Sequence, residues 1–276
     1  MTRAIRAGAF ALAALLLGAC AQMGGARETG APGATRIDRI LASGELRVGL
    51  TGSQPPLNMR DKSGELIGLE VDLVRALARS MDVEARFVPT PFAELLPSLE
   101  QGELDMVVSG LTITPERNAR VAFAGPYLIS GKSLLTRSET LANADSLDVL
   151  DDAQLRYSAL AGSTSERFVK ELLPKAALRA TPDYEAAVQL VIDDQVDAMI
   201  ADFPICALSV MRHPGAGLAM HHTPFTIEPI GIALPPGEAL LVNLVENYLR
   251  TIDETGILTT LKAKWFTRGD WIAELP

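Results

Sequence analysis

Short apolar runs and helical spacings alternate along most of the chain. Apolar runs bounded by glycine, proline or polar residues predict buried strands, and they lie at 46–50, 85–88, 106–108, 155–160, 196–202 and 230–233. Apolar residues three or four positions apart predict amphipathic helices, and they lie at 70–81, 92–101, 163–173, 184–191 and 238–252. Strands that alternate with helices predict parallel sheets joined by crossover helices.

The strand–helix alternation occurs twice, which predicts two lobes. Gly-Glu-Leu-Asp at 102–105 precedes one key strand, and Asp-Gln-Val-Asp at 194–197 precedes its counterpart in the second half. In open α/β sheets, ligands sit beyond the carboxyl ends of the strands. We therefore expect each lobe to end its equivalent strand in polar residues that face a shared cleft.

The first residues have the pattern of an export signal. Arg3 and Arg6 precede an apolar run at 7–17 that is too short for a stable membrane anchor. Leu-Gly-Ala-Cys at 17–20 then resembles a lipobox, which predicts a signal peptide at 1–19 and lipidation of Cys20. The alternative is an ordinary secretory signal in which Cys20 is incidental. Residues 20–36, rich in glycine, alanine and threonine, predict a flexible tether.

Charge and side-chain inventory exclude several functions. The formal net charge of −9 argues against a nucleic-acid partner, because binding phosphates needs basic patches. It suits a soluble body held near a membrane by lipid. Cys206 would be a lone thiol buried as a small hydrophobe, with no intramolecular disulfide. His221 and His222 are adjacent and would point to opposite faces of a strand, so we expect no metal site and no cofactor.

The stretch 105–117 joins a short buried strand to the start of a helix. Thr114 has the hydroxyl of an N-cap, and Pro115 fits the first helical position. A capping box would place Glu or Gln at the third helical position, where this chain has Arg117. A cation in the first turn opposes the helix dipole, so an anion beside Arg117 explains it better. A solvated surface arginine is the alternative.

Residues between the strand and this helix supply further polar groups. Ser109 and Thr112 offer hydroxyls, and Gly110 offers an open backbone N–H. Together with the guanidinium fork of Arg117, these groups predict a socket for a carboxylate.

The motifs Ser-Gly-Leu-Thr-Ile-Thr-Pro-Glu-Arg (109–117), Phe-Ala-Gly-Pro-Tyr (123–127) and Lys-Trp-Phe (264–266) resemble the solute-binding proteins of family 3, here in lipoprotein form. The resemblance runs over about 46–266. It implies a two-lobed α/β fold of periplasmic binding protein type II, with a mostly parallel sheet in each lobe and a two-strand hinge. The implied boundaries are 37–132 with 229–276 for lobe 1, and 133–228 for lobe 2.

The same resemblance implies how a ligand is held. Arg117 would pair with the ligand α-carboxylate, Thr164 would donate to the same carboxylate, and Asp202 would hold the α-ammonium. Each of the last two has an alternative: Asp202 also suits the N-cap of the next helix, and Thr164 also suits a plain cap beside Ser163.

Side-chain selectivity is less legible. Phe92 lies where the family places an apolar wall, although core packing is an equal alternative. Gln54 would contact the ligand from a loop that often carries an aromatic in the family. Thr51 lies where binders of cationic side chains can have an acid, which argues against a lysine or arginine ligand. Glu228 could reach the cleft, but a solvated hinge carboxylate is the simpler interpretation.

Three functions remain. The first is a periplasmic, membrane-anchored, monomeric receptor that delivers an amino acid to an ABC permease in the inner membrane. The second is an enzyme on the same scaffold, such as a cyclohexadienyl or arogenate dehydratase, for which only Asp202 or Glu228 could be the acid. The third is a sensing module that docks on a membrane partner.

Overall fold

Two five-stranded sheets flanked by helices form the body of the protein in the computed structural model, which describes residues 35–276. The predicted signal peptide at 1–19, Cys20 and the tether as far as residue 34 lie outside the described residues. Residues 35–276 form one compact unit. Within this range, no helix combines the length and the apolar character needed to span a bilayer.

The elements follow in chain order. The strands are β1 (Glu45–Leu50), β2 (Ser53–Gln54), β3 (Asn58–Arg60), β4 (Leu66–Ile67), β5 (Glu84–Pro89), β6 (Met106–Val107), β7 (Ala122–Ser130), β8 (Lys132–Thr136), β9 (Arg156–Leu160), β10 (Ala177–Thr181), β11 (Ala198–Asp202), β12 (Ala219–Met220) and β13 (Glu228–Leu234). The α-helices are α1 (Arg36–Ser43), α2 (Leu69–Ser80), α3 (Leu95–Glu100), α4 (Pro115–Asn118), α5 (Glu139–Ala142), α6 (Leu147–Leu150), α7 (Thr164–Leu172), α8 (Tyr184–Ile192), α9 (Phe203–Arg212), α10 (Ala239–Glu254) and α11 (Ile257–Lys262). Single turns of other helical types lie at Phe92–Glu94, Ala263–Thr267 and Asp270–Glu274.

Each large sheet is mixed, with a parallel half and an antiparallel half. The first sheet has the order β5-β1-β6-β13-β7 and the second β10-β9-β11-β8-β12. Strands β5, β1 and β6 are parallel, as are β10, β9 and β11, because helices join them as the sequence predicted. Strands β13 and β7, and β8 and β12, pair antiparallel. The two-lobed α/β fold is confirmed.

The chain passes between the sheets twice. It leaves the first sheet at Ser130 and enters the second at Lys132, with Gly131 as the one residue between. It returns in the segment between β12 and β13. The two crossings lie against each other: a Cβ on Gly131 would fall 2.1 Å from the carbonyl oxygen of Thr226. Glycine is therefore required where the two hinge segments touch.

Apolar packing is continuous within each lobe and also joins them. One buried cluster lies between α2, α10 and the first sheet, and another lies between α7 and the second sheet. A third cluster contains Phe92 and Leu96 from lobe 1 together with Tyr184 and Val188 from lobe 2. The lobes are therefore in contact in this structure. Cys206 lies in the third cluster as a fully buried free thiol, as predicted, and burial raises its pKa.

Asp105 in lobe 1 and Asp197 in lobe 2 occupy equivalent positions, and each is paired with an arginine. Asp105 accepts from the backbone N–H of Arg47 at 2.8 Å and from its Nη2 at 3.0 Å. Asp197 accepts from the backbone N–H of Arg156 at 2.8 Å and from its Nη2 at 2.9 Å. In each lobe, an aspartate just before the third strand of the parallel half is thus held by an arginine on the central one, β1 or β9. This shared contact explains why similar motifs end in an aspartate at 102–105 and at 194–197.

Candidate functional site

Arg117 lies at the boundary between the lobes. The hydroxyl of Thr114 accepts from the backbone N–H of Arg117 at 3.2 Å, and Pro115 opens α4, so the predicted helix start is confirmed. The guanidinium donates through Nη1 to the carbonyl oxygen of Thr112 at 3.0 Å and through Nη2 to that of Gly162 at 3.2 Å. Thr112 belongs to lobe 1 and Gly162 to lobe 2. Arg117 therefore bridges the two lobes through neutral acceptors.

A second bridge lies beside the first. The hydroxyl oxygens of Thr112 and Thr164 are 3.2 Å apart, and either can donate to the other. Ser163 is the N-cap of α7 and accepts from the backbone N–H of Glu166. Ser163 and Glu166 form only half of a capping box, because the carboxylate of Glu166 accepts from Gly162 N at 2.6 Å instead of from Ser163 N. Ser163 is thus the cap, and the hydroxyl of Thr164 faces lobe 1.

Phe92 lies against the guanidinium. Its ring centroid is 5.7 Å from Cζ of Arg117, within the range of a cation–π contact. The side chain is also part of the cluster shared by the two lobes. Phe92 therefore does both things that were considered for it: it lies beside Arg117 and it packs in the core.

Ser109, Gly110 and Gln54 lie behind the cleft in a buried polar network. Gly110 N–H donates to Oε1 of Glu70 at 2.7 Å, so the prediction of an open backbone N–H at Gly110 is wrong. The hydroxyl of Ser109 donates to Gln54 Oε1 at 3.0 Å and accepts from Thr51 N at 3.1 Å. The physical reason is that buried polar groups need partners, and these residues satisfy one another.

Glu70 is at the centre of this network. Its carboxylate is fully buried near the N-terminus of α2, where the helix dipole favours an anion. It accepts from Gly110 N, from the amide of Asn58 and from the hydroxyl of Tyr127. Burial raises the pKa of Glu70, while these three donors act in the opposite direction. Sequence reasoning missed this residue, because an acid in a first helical turn is common on exposed helices.

Asp202 ends β11 in the second sheet and faces a lysine. It occupies the N-cap position of α9, but its side chain makes no capping hydrogen bond, so the capping alternative fails for the carboxylate. Oδ1 of Asp202 instead accepts from Nζ of Lys132 at 2.9 Å. Lys132 is 1% exposed. Sequence reasoning also missed Lys132, because a lysine after a glycine at a lobe crossing looks like a surface residue.

Glu228 lies on the other side of Lys132. Its Oε2 is 3.8 Å from Nζ of Lys132, and its Oε1 accepts from the hydroxyl of Thr226 at 3.0 Å. Glu228 is 9% exposed, so the interpretation as a solvated hinge carboxylate is wrong. The second hinge strand begins at this residue and brings its carboxylate toward the first.

The charges of the two lobes act on one another in this cleft. Burial is the main cause that lowers the pKa of Arg117, and the nearby charge of Arg167 lowers it further. Glu116, Glu228 and Asp202 oppose this shift through their negative charges. Arginine stays protonated at any physiological pH. A permanent cation from lobe 1 thus lies within electrostatic range of the carboxylates at the hinge.

The space beside Asp202 is small. A cavity of about 10 Å³ is lined by Leu57, Leu128, Ser130, Asp202, Pro204, Ile205 and Ile230. That volume holds roughly one water molecule, so a larger molecule enters only when the lobes move apart. Among residues 35–276, no group of three or more His, Cys, Asp or Glu side chains is placed to hold a metal ion.

Several known proteins are similar to this chain over most of its length. Cyclohexadienyl dehydratase of Pseudomonas aeruginosa is 30% identical over 84% of this chain and 86% of its own. The L-cystine-binding protein TcyJ of Escherichia coli is 28% identical over 83% and 85%. A solved binding component of an ABC transporter from Wolinella succinogenes, complexed with lysine, is 35% identical with a TM-score of 0.78 and covers 83% of this chain and 99% of its own.

The match to a family extends over most of the chain. The profile of the bacterial extracellular solute-binding proteins, family 3, covers residues 46–268, which includes both sheets, both hinge crossings and the cleft. Its relatives include amino acid-binding proteins of ABC transporters. The chain belongs to the bacterial extracellular solute-binding proteins, family 3.

Proposed function

We propose that this protein captures an α-amino acid between its two lobes outside the cytoplasm and delivers it to the permease of an ABC importer. The observation that carries the proposal is the placement of Arg117 on lobe 1 and Asp202 on lobe 2 at one cleft. These two groups match the carboxylate and the ammonium of a zwitterion. The family and its amino acid-binding members support the same function.

The carboxylate end would bind at Arg117. In the closed structure, the guanidinium donates to two neutral carbonyl oxygens, those of Thr112 and Gly162. A carboxylate is the stronger acceptor, because charge-assisted hydrogen bonds are shorter and about twice as strong. The hydroxyls of Thr112 and Thr164 would donate to the same carboxylate, reinforced by the N-terminus of α7.

The ammonium end would bind at Asp202. Only Oδ1 takes the hydrogen bond from Lys132, and a carboxylate can accept at both of its oxygens. Each charge-assisted hydrogen bond contributes roughly 1.5–3 kcal/mol, whereas micromolar affinity requires about −8 kcal/mol after the entropy of association. Exclusion of water by closure and contacts to the ligand side chain must supply the rest. Contacts drawn from both lobes exist only in the closed form, so the ligand favours closure.

The test is a thermal-shift screen against the twenty amino acids, followed by calorimetry on the best ligand. A ligand at about one hundred times its dissociation constant adds about 2.7 kcal/mol of stability, which the melting temperature reports. Arg117→Ala should abolish binding. Arg120→Ala is the matched control, because Arg120 lies just after α4, half exposed, and pairs with Glu100 on the surface. Retained affinity in Arg117→Ala would contradict the proposal.

Lipid anchoring and a monomeric state are part of the proposal. The sequence Leu-Gly-Ala-Cys at 17–20 supports acylation of Cys20, which would hold the receptor at the membrane beside its permease. Cys20→Ser should move the protein from the membrane fraction to the soluble fraction of the host. Recovery of the variant in the membrane fraction would contradict anchoring by Cys20.

A second candidate is a dehydratase on the same scaffold. It is supported by the 30% identity to cyclohexadienyl dehydratase and by the two carboxyl groups, Asp202 and Glu228, in the cleft. A dehydratase needs a carboxylic acid placed over the substrate ring. Incubation with arogenate or prephenate separates the candidates, because only the enzyme would release an aromatic product.

A further inference from the structure

Three charged side chains at the hinge form a compact group, here called the hinge charge cluster: Lys132, Asp202 and Glu228. Lys132 is the first residue after the outgoing crossing, and Glu228 is the first residue of the returning strand β13. Asp202 is the direct cross-strand partner of Lys132 in the β11–β8 pairing. All three are buried, with 1%, 8% and 9% exposure for Lys132, Asp202 and Glu228.

The geometry fixes the ammonium of Lys132 between two acids. Nζ lies 2.9 Å from Asp202 Oδ1 and 3.8 Å from Glu228 Oε2. The backbone N–H of Lys132 also donates to the hydroxyl of Thr226 at 2.9 Å, and this hydroxyl donates to Glu228. Both crossings therefore hold the lysine in place, and Lys132 is a fixed part of the binding cleft.

Four charged side chains at the hinge and at the lobe boundary balance one another without a ligand. Arg117 and Lys132 are the cations, and Asp202 and Glu228 are the anions. The other charges that act on Arg117 are those of Glu116 and Arg167, and these two pair with each other at 2.8 Å across the lobes. The loop at residues 51–58 contains no acidic residue that could pair with a cationic ligand. The hydroxyl of Thr51 in this loop donates to the amide oxygen of Asn58.

We infer that Lys132 determines the ligand class, so that the site selects α-amino acids with an uncharged side chain over those with a cationic side chain. This inference rests on the proposed function. A zwitterion adds no net charge to a balanced cleft, since its carboxylate goes to Arg117 and its ammonium to Asp202. A lysine or arginine ligand brings a further cation into a closed cleft whose acids are already matched, and a buried unpaired charge is unfavourable.

The ammonium of Lys132 supplies the positive charge that offsets one of the two acids, Asp202 and Glu228, at the hinge. Without its ammonium, Asp202 and Glu228 would offer two negative charges at the hinge, one for the ligand ammonium and one for a side-chain cation. The inference therefore predicts opposite shifts for opposite changes. Removal of the lysine charge should favour cationic ligands, and removal of the Glu228 charge should favour acidic ones.

The experiment is calorimetry on the full chain with glutamine, glutamate, lysine, arginine and the best uncharged ligand from the thermal-shift screen. In the wild type, the best uncharged amino acid should bind at least about tenfold tighter than lysine or arginine, a factor that corresponds to about 1.4 kcal/mol. In Lys132→Met, this ratio should fall by about tenfold or more. Lys175→Met is the control, because Lys175 lies on the surface of lobe 2 in an exposed pair with Asp151, and the ratio should not change.

A second variant keeps the test independent of the folding of Lys132→Met. Glu228→Gln should raise the affinity for glutamate relative to glutamine, two ligands of nearly the same shape that differ in charge. Tightest wild-type binding of lysine or arginine would overturn the inference and leave the proposed function intact. The same holds for an unchanged glutamate-to-glutamine ratio in Glu228→Gln. If none of the twenty amino acids binds, the proposed function fails and the inference fails with it.

Discussion

The hydroxyl oxygens of Thr112 and Thr164 lie 3.2 Å apart across the boundary between the lobes. Thr112 follows β6 in lobe 1, and Thr164 is the first residue of α7 in lobe 2. Such a distance exists only when the lobes are together. Because Arg117 donates to the backbone carbonyl of Thr112, the same contact also marks where a ligand carboxylate would meet donors from both lobes.

Thr164→Val should weaken ligand binding and leave the fold intact. Valine has the shape of threonine, so packing is retained, while the hydroxyl donor is lost. A hydrogen bond to a charged group contributes about 1.5–3 kcal/mol, so the dissociation constant should rise by roughly tenfold or more. Calorimetry measures this change. Thr259→Val, at an exposed position on α11, is the control and should bind as the wild type does. Unchanged affinity in Thr164→Val would show that this hydroxyl does not reach the ligand.

Gly162→Ala should hinder closure. Gly162 has a φ of +74°, and a Cβ there would lie 3.0 Å from Cβ and 3.2 Å from Cα of Ala93 in the other lobe. Alanine at such a φ costs about 1 kcal/mol by itself. Gly217→Ala is a matched control, because Gly217 has a φ of +67° with open space around it.

Both glycine variants should therefore lose similar stability in urea denaturation, but only Gly162→Ala should bind ligand about tenfold more weakly. Small-angle scattering with saturating ligand supplies a second readout, since an incompletely closed variant has a larger radius of gyration than the wild type. Equal affinities for the two variants would count against Ala93–Gly162 as a closure contact.

Glu70→Gln should destabilise the protein and change its pH dependence. The amide has one acceptor where the carboxylate has two, so one donor among Gly110, Asn58 and Tyr127 loses its partner at a cost of about 1–3 kcal/mol. Burial raises the pKa of Glu70, so the native state binds this proton more tightly than the unfolded chain does. The contribution to stability is then greatest below the unfolded pKa and is lost as pH rises through the folded pKa.

The difference in unfolding free energy between wild type and Glu70→Gln should accordingly narrow as pH rises above about 4.3, the usual pKa of a glutamate in an unfolded chain. Chemical denaturation at several pH values measures it. Glu246→Gln, at an exposed position on α10, provides the comparison and should show a constant difference. A gap that widens with pH would mean that Glu70 is held ionised more strongly than its burial implies.

The equivalent aspartates of the two lobes, Asp105 and Asp197, should contribute differently to the free energy of unfolding. Burial alone would raise the pKa of Asp105, but hydrogen bonds from Arg47 and Arg39 outweigh it and the pKa is lowered. The hydrogen bond from Arg156 lowers the pKa of Asp197. Stability from a lowered carboxyl pKa is present above the unfolded pKa and is lost as pH falls through the folded pKa.

Asp105→Asn should cost about 3 kcal/mol at neutral pH, because the Asp105 side chain is 0% exposed and its loss breaks a buried pair. Asp197→Asn should cost about 1 kcal/mol or less, because that side chain is 29% exposed and solvent weakens the pair. Urea titrations of the two variants at one pH compare them directly. Equal losses would indicate that burial does not set the strength of these contacts.

The sequence predicted the parts of the site that depend on local order. Thr114 and Pro115 fix the start of α4, and that places Arg117 in its first turn, so the unusual position of an arginine was legible. The polar end of β11 at Asp202 was legible for the same reason. Lys132 was not, since its partner Asp202 is 70 positions away and only the β11–β8 pairing brings them together.

The fold shows the same division. Strand β11, which is buried on both faces, was predicted because its apolar run is continuous. Strand β10 was missed because it lies at the edge of the second sheet and is mostly exposed, so its residues 177–181 have a polar pattern. Gly110 was misassigned as an open donor because its acceptor, the buried carboxylate of Glu70, is 40 positions away and meets it only in the folded protein.

The buried thiol of Cys206 makes conformational labelling straightforward. Its complete burial and raised pKa leave little thiolate at neutral pH, and thiolate is the species that reacts with maleimide. Among residues 35–276, it is the free cysteine, so cysteines introduced on the two rims of the cleft can carry a donor and an acceptor dye without its removal. Single-molecule energy transfer can then follow the opening and closing of the two lobes in a protein whose core is unchanged from the wild type.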